Sequence, residues 1–418
     1  MRRVLATLTV FVALGPRAAW PQGGAPLGPE FQINTYTTSN QLYPSVARDS
    51  GGNFVVVWTS NTQDGATLGV FGQRYSTTGA PLGPEFRVNT YTTGAQYLPS
   101  VAVDGAGNFV VVWNSNGQEG NLSIFGQRYA STGAPLGGEF RVNTYTTSDQ
   151  AFPSVAVSNA GNFVVTWQSY TQDGSNWGVF GQRFSGAGAP LGLEFRVSTY
   201  TTSGEFASAV TADLAGNFVV VWHANAEDGS GLGIFGQRYD LTGAPAGGEF
   251  RVNTYTTNLQ GYPAVASDNS GNFIVVWHSL QQDGSQLGVF GQRYASSGAT
   301  LGSEFRVNTY TTSYQQLLDV ATDAAGNFVV AWASYQQDGS TYGIFGQRYD
   351  SAGTPLGLEF RVNSFTSNSQ NRPAVAADPL GNFVVTWDSQ LQDGLGVGVF
   401  GQRYGPILPV ELMHYGVE

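Results

Sequence analysis

The sequence predicts an all-β fold, a seven-bladed β-propeller with four antiparallel strands per blade, and three observations carry that prediction. The triplet Gly-Gln-Arg recurs at Gly72, Gly126, Gly181, Gly236, Gly291, Gly346 and Gly401, a period of 54 residues once and 55 thereafter. Gly-Asn-Phe recurs in the same rhythm, and four residues beyond each Phe stands a Trp: Trp58, Trp113, Trp167, Trp222, Trp277, Trp332 and Trp387. Finally, the repeat opens and closes in complementary fragments. A lone strand around Glu30–Tyr36 precedes the first full unit, and the last unit ends near Tyr404 with no such strand after it. An open solenoid has no reason to be cut this way, whereas a ring closes on it and hides its edge strands.

Each unit reads as four strands separated by turn residues. In the first, strand A covers Pro44 to Arg48 and is built of small residues, which suits crowding near an axis. Asp49 to Asn53 turns the chain. Strand B, Phe54 to Ser60, is apolar on both faces and therefore belongs inside a stack of sheets. Its exit loop carries Gln63-Asp64-Gly65. Strand C runs from Val70 to Tyr75, and strand D from Glu85 to Thr90. Strand D alternates Phe86 and Val88 with Glu85, Arg87 and Asn89, as a half-wetted outer strand should. The expected divisions are a signal segment at 1–22, a propeller at 25–404 and a tail at 405–418.

Charged residues are 11% of the chain, all 18 basic residues are Arg, and the net charge is −11. No nucleic-acid partner is expected from an acidic chain without basic patches. Absence of Cys excludes disulfides and thiolate metal sites. Arg2 and Arg3 ahead of the apolar run Val4–Leu14 have the form of an export signal too short to span a bilayer. A secreted, periplasmic or cell-surface monomer follows, with no membrane insertion once the signal is removed.

Comparison among the seven copies separates scaffold from candidate site. Of 29 carboxylates, 20 occupy repeat positions, and catalysis needs one asymmetric constellation rather than seven copies. The repeated Arg, such as Arg74, is expected to pair with a repeated carboxylate. The Gln-Asp-Gly loops place Asp64, Asp173, Asp228, Asp283, Asp338 and Asp393 (Glu119 in the second copy, Glu227 beside Asp228 in the fourth) where a hairpin turn wants Asp-Gly. Calcium is the alternative occupant, although one carboxylate per loop leaves most of its oxygens to be found elsewhere.

Variation gathers in the D–A and B–C loops, which open on one face. The residue after each Trp is Thr59, Asn114, Gln168, His223, His278, Ala333 or Asp388. His223 and His278 fall in adjacent blades, with Asp319 at the start of strand A in the next and Asp388 one further on. Two His and a carboxylate can hold a metal or share protons; polar strand ends near water are the plainer reading. Tyr170 and Trp177 in the third B–C loop, and Tyr335 and Tyr342 in the sixth, offer flat faces to sugar rings or pack on a neighbouring blade.

The unit Gln-x-x-Pro-Ser-Val-Ala, Gly-Asn-Phe-Val-Val-Val-Trp, Gln-Asp-Gly, Phe-Gly-Gln-Arg-Tyr resembles tandem repeats of large secreted or surface-attached bacterial proteins, some of which carry adhesin or calcium-binding modules. The resemblance implies export and a bacterial source and transfers no catalytic residue. The Asp box of sialidase-type propellers is not present, which lowers the hydrolase reading. Together these features favour a non-catalytic binding propeller that takes a glycan or an extracellular protein on its D–A/B–C face. A glycan-cleaving hydrolase or lyase and a structural spacer of a surface protein are the alternatives.

Overall fold

The computed structural model describes residues 25–65 and 67–406 and is a seven-bladed propeller. Each blade is a four-stranded antiparallel sheet in the order A-B-C-D, strand A innermost. In blade 1 these are Gln41–Arg48, Phe54–Asn61, Leu68–Tyr75 and Phe86–Arg87. No helix among the described residues is long and apolar enough to cross a membrane. The expected signal segment, and all of the tail beyond Pro406, lie outside the described residues.

The ring closes as its sequence phase requires. Phe31–Gln32 adds to the outer edge of blade 7, pairing Phe31 with Gly401 and Gln32 with Phe400 on strand Val397–Pro406. The first strand of the chain thus finishes the sheet that the last three began.

The seven residues of strand B from the Phe of Gly-Asn-Phe onward are buried in every blade, and each of the seven Trp is fully buried. Successive sheets stack through apolar side chains from both faces of strand B, so the core is seven seams rather than one centre. An aromatic triplet repeats in each seam. Phe54 stacks on Tyr75 at 4.9 Å between centroids, and Phe31 meets Tyr75 at 5.6 Å. The Tyr75 hydroxyl donates to the Ile33 carbonyl of the preceding sheet (3.1 Å). Gly72 lies directly beneath a strand-D ring: a Cβ there would stand 2.9 Å from Cζ of Phe86, which explains why Gly-Gln-Arg begins with glycine.

Three expectations are corrected. Strand D is two residues long, not six, because Asn89 folds inward: 1% exposed rather than wetted, it accepts the Val70 N–H on Oδ1 (2.7 Å). Strand A begins three residues earlier than expected, at Gln41, and is broken by a bulge between Leu42 and Ser45. Nor does the repeated Arg pair with a carboxylate: Arg74 donates from Nη1 to the Ser131 carbonyl of the next blade (2.5 Å) and from Nη2 to that of Leu82 (2.7 Å). A planar guanidinium clasps two carbonyls as readily as a carboxylate, and here it ties neighbouring blades together. The Glu of Glu-Phe makes the reciprocal tie, since Glu85 Oε2 accepts Thr35 N–H (2.7 Å) and Thr35 Oγ1 (2.9 Å) from the blade before.

Candidate functional site

The bulge in strand A builds a ring around the axis. Tyr43, Leu98, Phe152, Ala207, Tyr262, Leu317 and Arg372 all take φ between 48° and 56°, the left-handed region that side-chain-bearing residues avoid. Each such conformation costs on the order of 1 kcal/mol, and strain repeated at equivalent points marks a place where direction of the side chain matters. Pro follows in five of the seven copies. Together the bulge residues line an axial funnel of about 380 Å³ on the D–A/B–C face. Phe152 is 45% exposed and Tyr262 53%, so two aromatic rings face the opening.

Ala333 offers no side-chain acceptor and His278 Nδ1 is buried without a hydrogen-bond partner among the described residues, but in the other five blades what holds the strained backbone is the variable position after the Trp. Its side chain accepts the bulge N–H of the next blade: Thr59 Oγ1 from Leu98 (3.1 Å), Asn114 Oδ1 from Phe152 (3.2 Å), Gln168 Oε1 from Ala207 (3.2 Å) and His223 Nδ1 from Tyr262 (3.2 Å). Asp388 takes the N–H of Tyr43 in the same way. Chemically unlike residues therefore share one task, to present an acceptor.

His223 and His278 accordingly sit behind the ring, 4% and 5% exposed, and not at its wet surface. Tyr262 lies between them, 5.2 Å from His223 and 5.3 Å from His278 by ring centroids. Burial lowers the His223 imidazole to about 3, with the neighbouring His278 adding to the shift, and lowers His278 to about 4. Both are neutral at physiological pH, as burial requires of each and as the Nδ1 acceptor role requires of His223. Neither ring is expected to titrate between pH 5 and 8, so their Cε1–H resonances should stay flat across that range. An inflection near pH 6.5 assigned to either by His→Gln substitution would contradict this placement.

Asp319 and Asp388 belong to separate arrangements. Asp319 accepts N–H groups of Val320 (2.9 Å) and, across the seam, Val375 (2.8 Å); enclosure of the carboxylate pushes it up to about 6 against those two bonds. Asp388 bonds Arg372 Nη1 at 2.9 Å, yet burial outweighs that attraction and holds its carboxyl up at about 6. The Arg372 guanidinium in turn lies 4.2 Å from the Tyr43 ring centroid, a cation–π contact at the funnel rim. Among the described residues no three His, Asp or Glu converge as metal ligands.

The other sequence candidates lie in the B–C hairpins. Tyr170 packs on Trp177 at 5.2 Å and Tyr335 on Tyr342 at 5.0 Å, each pair directly cross-strand within its own blade. Asp173, Asp228, Asp283 and Asp338 close tight turns, each Oδ1 accepting the N–H two residues on at 3.1 Å, and Asp393 does the same at 3.3 Å. Asp64 Oδ2 accepts from Asn89 Nδ2 at 3.3 Å. Glu119 instead forms a surface ion pair with Arg141 (2.9 Å).

No protein-family model and no curated protein sequence matches the chain. Solved structures resemble it in shape. A protein of unknown function from Dyadobacter fermentans is 10% identical with a TM-score of 0.53, covering 90% of this chain and 97% of that one. An α-L-arabinanase from Penicillium chrysogenum, complexed with arabinobiose, is 12% identical with a TM-score of 0.50, covering 90% and 98%. The endosialidase of phage phi92 is 8% identical with a TM-score of 0.51, covering 93% and 70%. At these identities the likeness establishes the propeller fold. It leaves the adhesin or calcium-binding character of the repeat without support.

Proposed function

We propose that the protein is an exported, non-catalytic propeller that binds a glycan in its axial funnel. The carrying observation is the ring of seven left-handed residues that turns Phe152 and Tyr262 toward solvent around a cavity of about 380 Å³. Ligand sites are concave, mostly apolar and aromatic, with a few convergent polar groups. Tyr43 and Arg372 supply those groups at the rim.

The lining favours binding over cleavage. Glycoside hydrolysis uses two carboxyl groups flanking the bond, and the residues lining this funnel include no Asp or Glu. Asp319 and Asp388, the carboxylates the sequence placed on this face, already have partners, Asp388 in Arg372 and Asp319 in two backbone N–H groups. Glycans are the first ligand class to test because two propellers of this shape, from Penicillium and phage phi92, are named for acting on them.

A glycan array followed by calorimetry on the hits tests the reading. Replacing Phe152 or Tyr262 with Ala should weaken binding about tenfold each, the loss expected for an aromatic contact worth about 1.5 kcal/mol, while circular dichroism stays unchanged. Release of reducing ends from a bound glycan would establish an enzyme instead. Silence across the array, with no partner captured through the funnel face, would leave the spacer role.

A further inference from the structure

On the opposite face, at the seam between blades 7 and 1, the chain fills a cleft with its own cation. Arg48, the last residue of strand A in blade 1, lays Nη2 3.1 Å from Oδ2 of Asp378 in the A–B turn of blade 7 and 2.8 Å from the Gly52 carbonyl oxygen. The two side chains are only 4% and 5% exposed, and the guanidinium lies 6.0 Å from the Phe54 ring centroid. Asp378 Oδ2 also keeps the bond it receives from Asn382 Nδ2 (2.9 Å). Arg403 faces Arg48 across the cleft and does not prevent the pair.

The seam between blades 4 and 5 has every part of this arrangement except the cation. Asp213 stands for Asp378, with Oδ2 accepting from Asn217 Nδ2 (2.7 Å). Gly271 stands for Gly52, and Asp213 Oδ2 lies 3.0 Å from the point its Cβ would occupy, the same separation as between Asp378 Oδ2 and Gly52. Phe273 stands for Phe54 and Arg238 for Arg403. Where Arg48 would be, the chain has Ser267, and the seam opens as a cavity of about 410 Å³ lined by Asp213, Arg238, Ser267 and Gly271.

We propose that the cleft between blades 4 and 5 is a binding site for a guanidinium group, that of an arginyl side chain in a peptide partner, held on Asp213 Oδ2 and the Gly271 carbonyl. One carboxylate oxygen beside one carbonyl, the pair that holds Arg48, suits a planar fork of N–H donors, and Asp240, the second carboxylate lining the cleft, is engaged in its own turn with Thr242 and Ala244. Substitution at the other seams sorts them. The blade 1–2 seam keeps Asp49 and Gly107, has Val103 in place of Arg48 and opens to about 280 Å³; the blade 5–6 seam keeps Asp268 and Gly326, has Thr322 there and opens to about 240 Å³, so both are smaller copies. The blade 3–4 seam has Ser158 where the carboxylate should be and opens to only about 60 Å³. This site is independent of the funnel and of what the funnel binds.

The test uses the full chain and two probes, Nα-acetyl-arginine amide and its uncharged isostere Nα-acetyl-citrulline amide, with amide shifts of Ser270 and Gly271 as the local reading. Saturable shifts are expected with the arginine probe, at least tenfold weaker binding with the citrulline probe, and a similar loss in Asp213→Asn. Ser267→Arg should plant the missing guanidinium, abolish the local response and raise the melting temperature, while Ser267→Ala retains binding. Equal affinity for the two probes, no saturable shift, or an undiminished response in Ser267→Arg would each overturn the site.

Discussion

A chain lacking residues 25–36 is expected to aggregate and to lose its single cooperative melting transition. The segment supplies much more than a two-residue strand. Leu27 N–H bonds the Arg403 carbonyl (2.7 Å), Ile33 N–H that of Val399 (2.8 Å), and Asn34 Oδ1 takes the Val399 N–H (2.7 Å). Gln402 Nε2 donates to the Gly28 carbonyl (3.0 Å). Glu30 reaches back one blade further, accepting Ser364 N–H at 2.6 Å and its hydroxyl at 2.9 Å. Phe31 and the 2%-exposed Ile33 seal the seam against Phe54 and Tyr75. Removing them leaves strand Val397–Pro406 as an open edge and exposes an apolar seam, the combination that templates intermolecular pairing. A milder change isolates the packing: Phe31→Ala alone should cost about 3 kcal/mol with pairing intact. A deletion variant as soluble and as heat-resistant as the parent would mean that the ring does not depend on its first strand. Size-exclusion chromatography and a thermal melt decide it.

What could be read without coordinates follows from repetition. Seven copies of Gly-Asn-Phe and Gly-Gln-Arg fix strands B and C, and the phase of the fragments around Glu30 and Tyr404 fixes closure, because both are properties of spacing. The funnel was hidden for a physical reason. Tyr43, Leu98 and Phe152 precede Pro in a stretch that reads as plain strand, and nothing in those residue types announces a positive φ. The accessible signal was the column itself: Tyr, Leu, Phe, Ala, Tyr, Leu and Arg vary between a Gln two residues earlier, kept in six copies, and a following Pro, kept in five. The column after Trp misled in the opposite sense. His223 and Asp388 look like surface chemistry, but strand B is central and the next blade's bulge covers its end, so polarity there answers a buried N–H. Arg74 shows the remaining limit, since sequence identifies a cation and not whether its partner is a carboxylate or a carbonyl.

Blade 4 breaks the repeat at two positions built for amide donors, and its stability is expected to fall with rising pH in consequence. In the other six blades a Gln such as Gln63, Gln118 or Gln282 donates from Nε2 to the Glu of Glu-Phe; blade 4 has Glu227 there, facing Glu249. Likewise Gln41, Gln260 and Gln370 donate to a carbonyl three residues back, whereas blade 4 has the fully buried Glu205, whose Oε2 accepts from Ser198 (3.2 Å) and whose counterpart carbonyl is that of Thr202. A carboxylate cannot donate to an oxygen, but a carboxylic acid can. Burial, then repulsion from Asp173 and Glu249, raises Glu205 to about 8 against the opposing pull of Ser198 and Arg196. Burial, the bond to Glu249, and the charges of Glu249, Glu205 and Asp228 raise Glu227 to about 9. The folded chain therefore keeps two protons that the unfolded chain releases near pH 4.5, so stability is highest below that point. It declines as pH rises, and stops declining once the folded groups also ionise, above about 8 and 9. Glu205→Gln with Glu227→Gln restores the amide donors. Thermal melts should show the double variant close to the parent at pH 5 and exceeding it by at least about 2 kcal/mol at pH 8. Parallel pH profiles for the two proteins would mean that neither carboxyl holds its proton in the folded state.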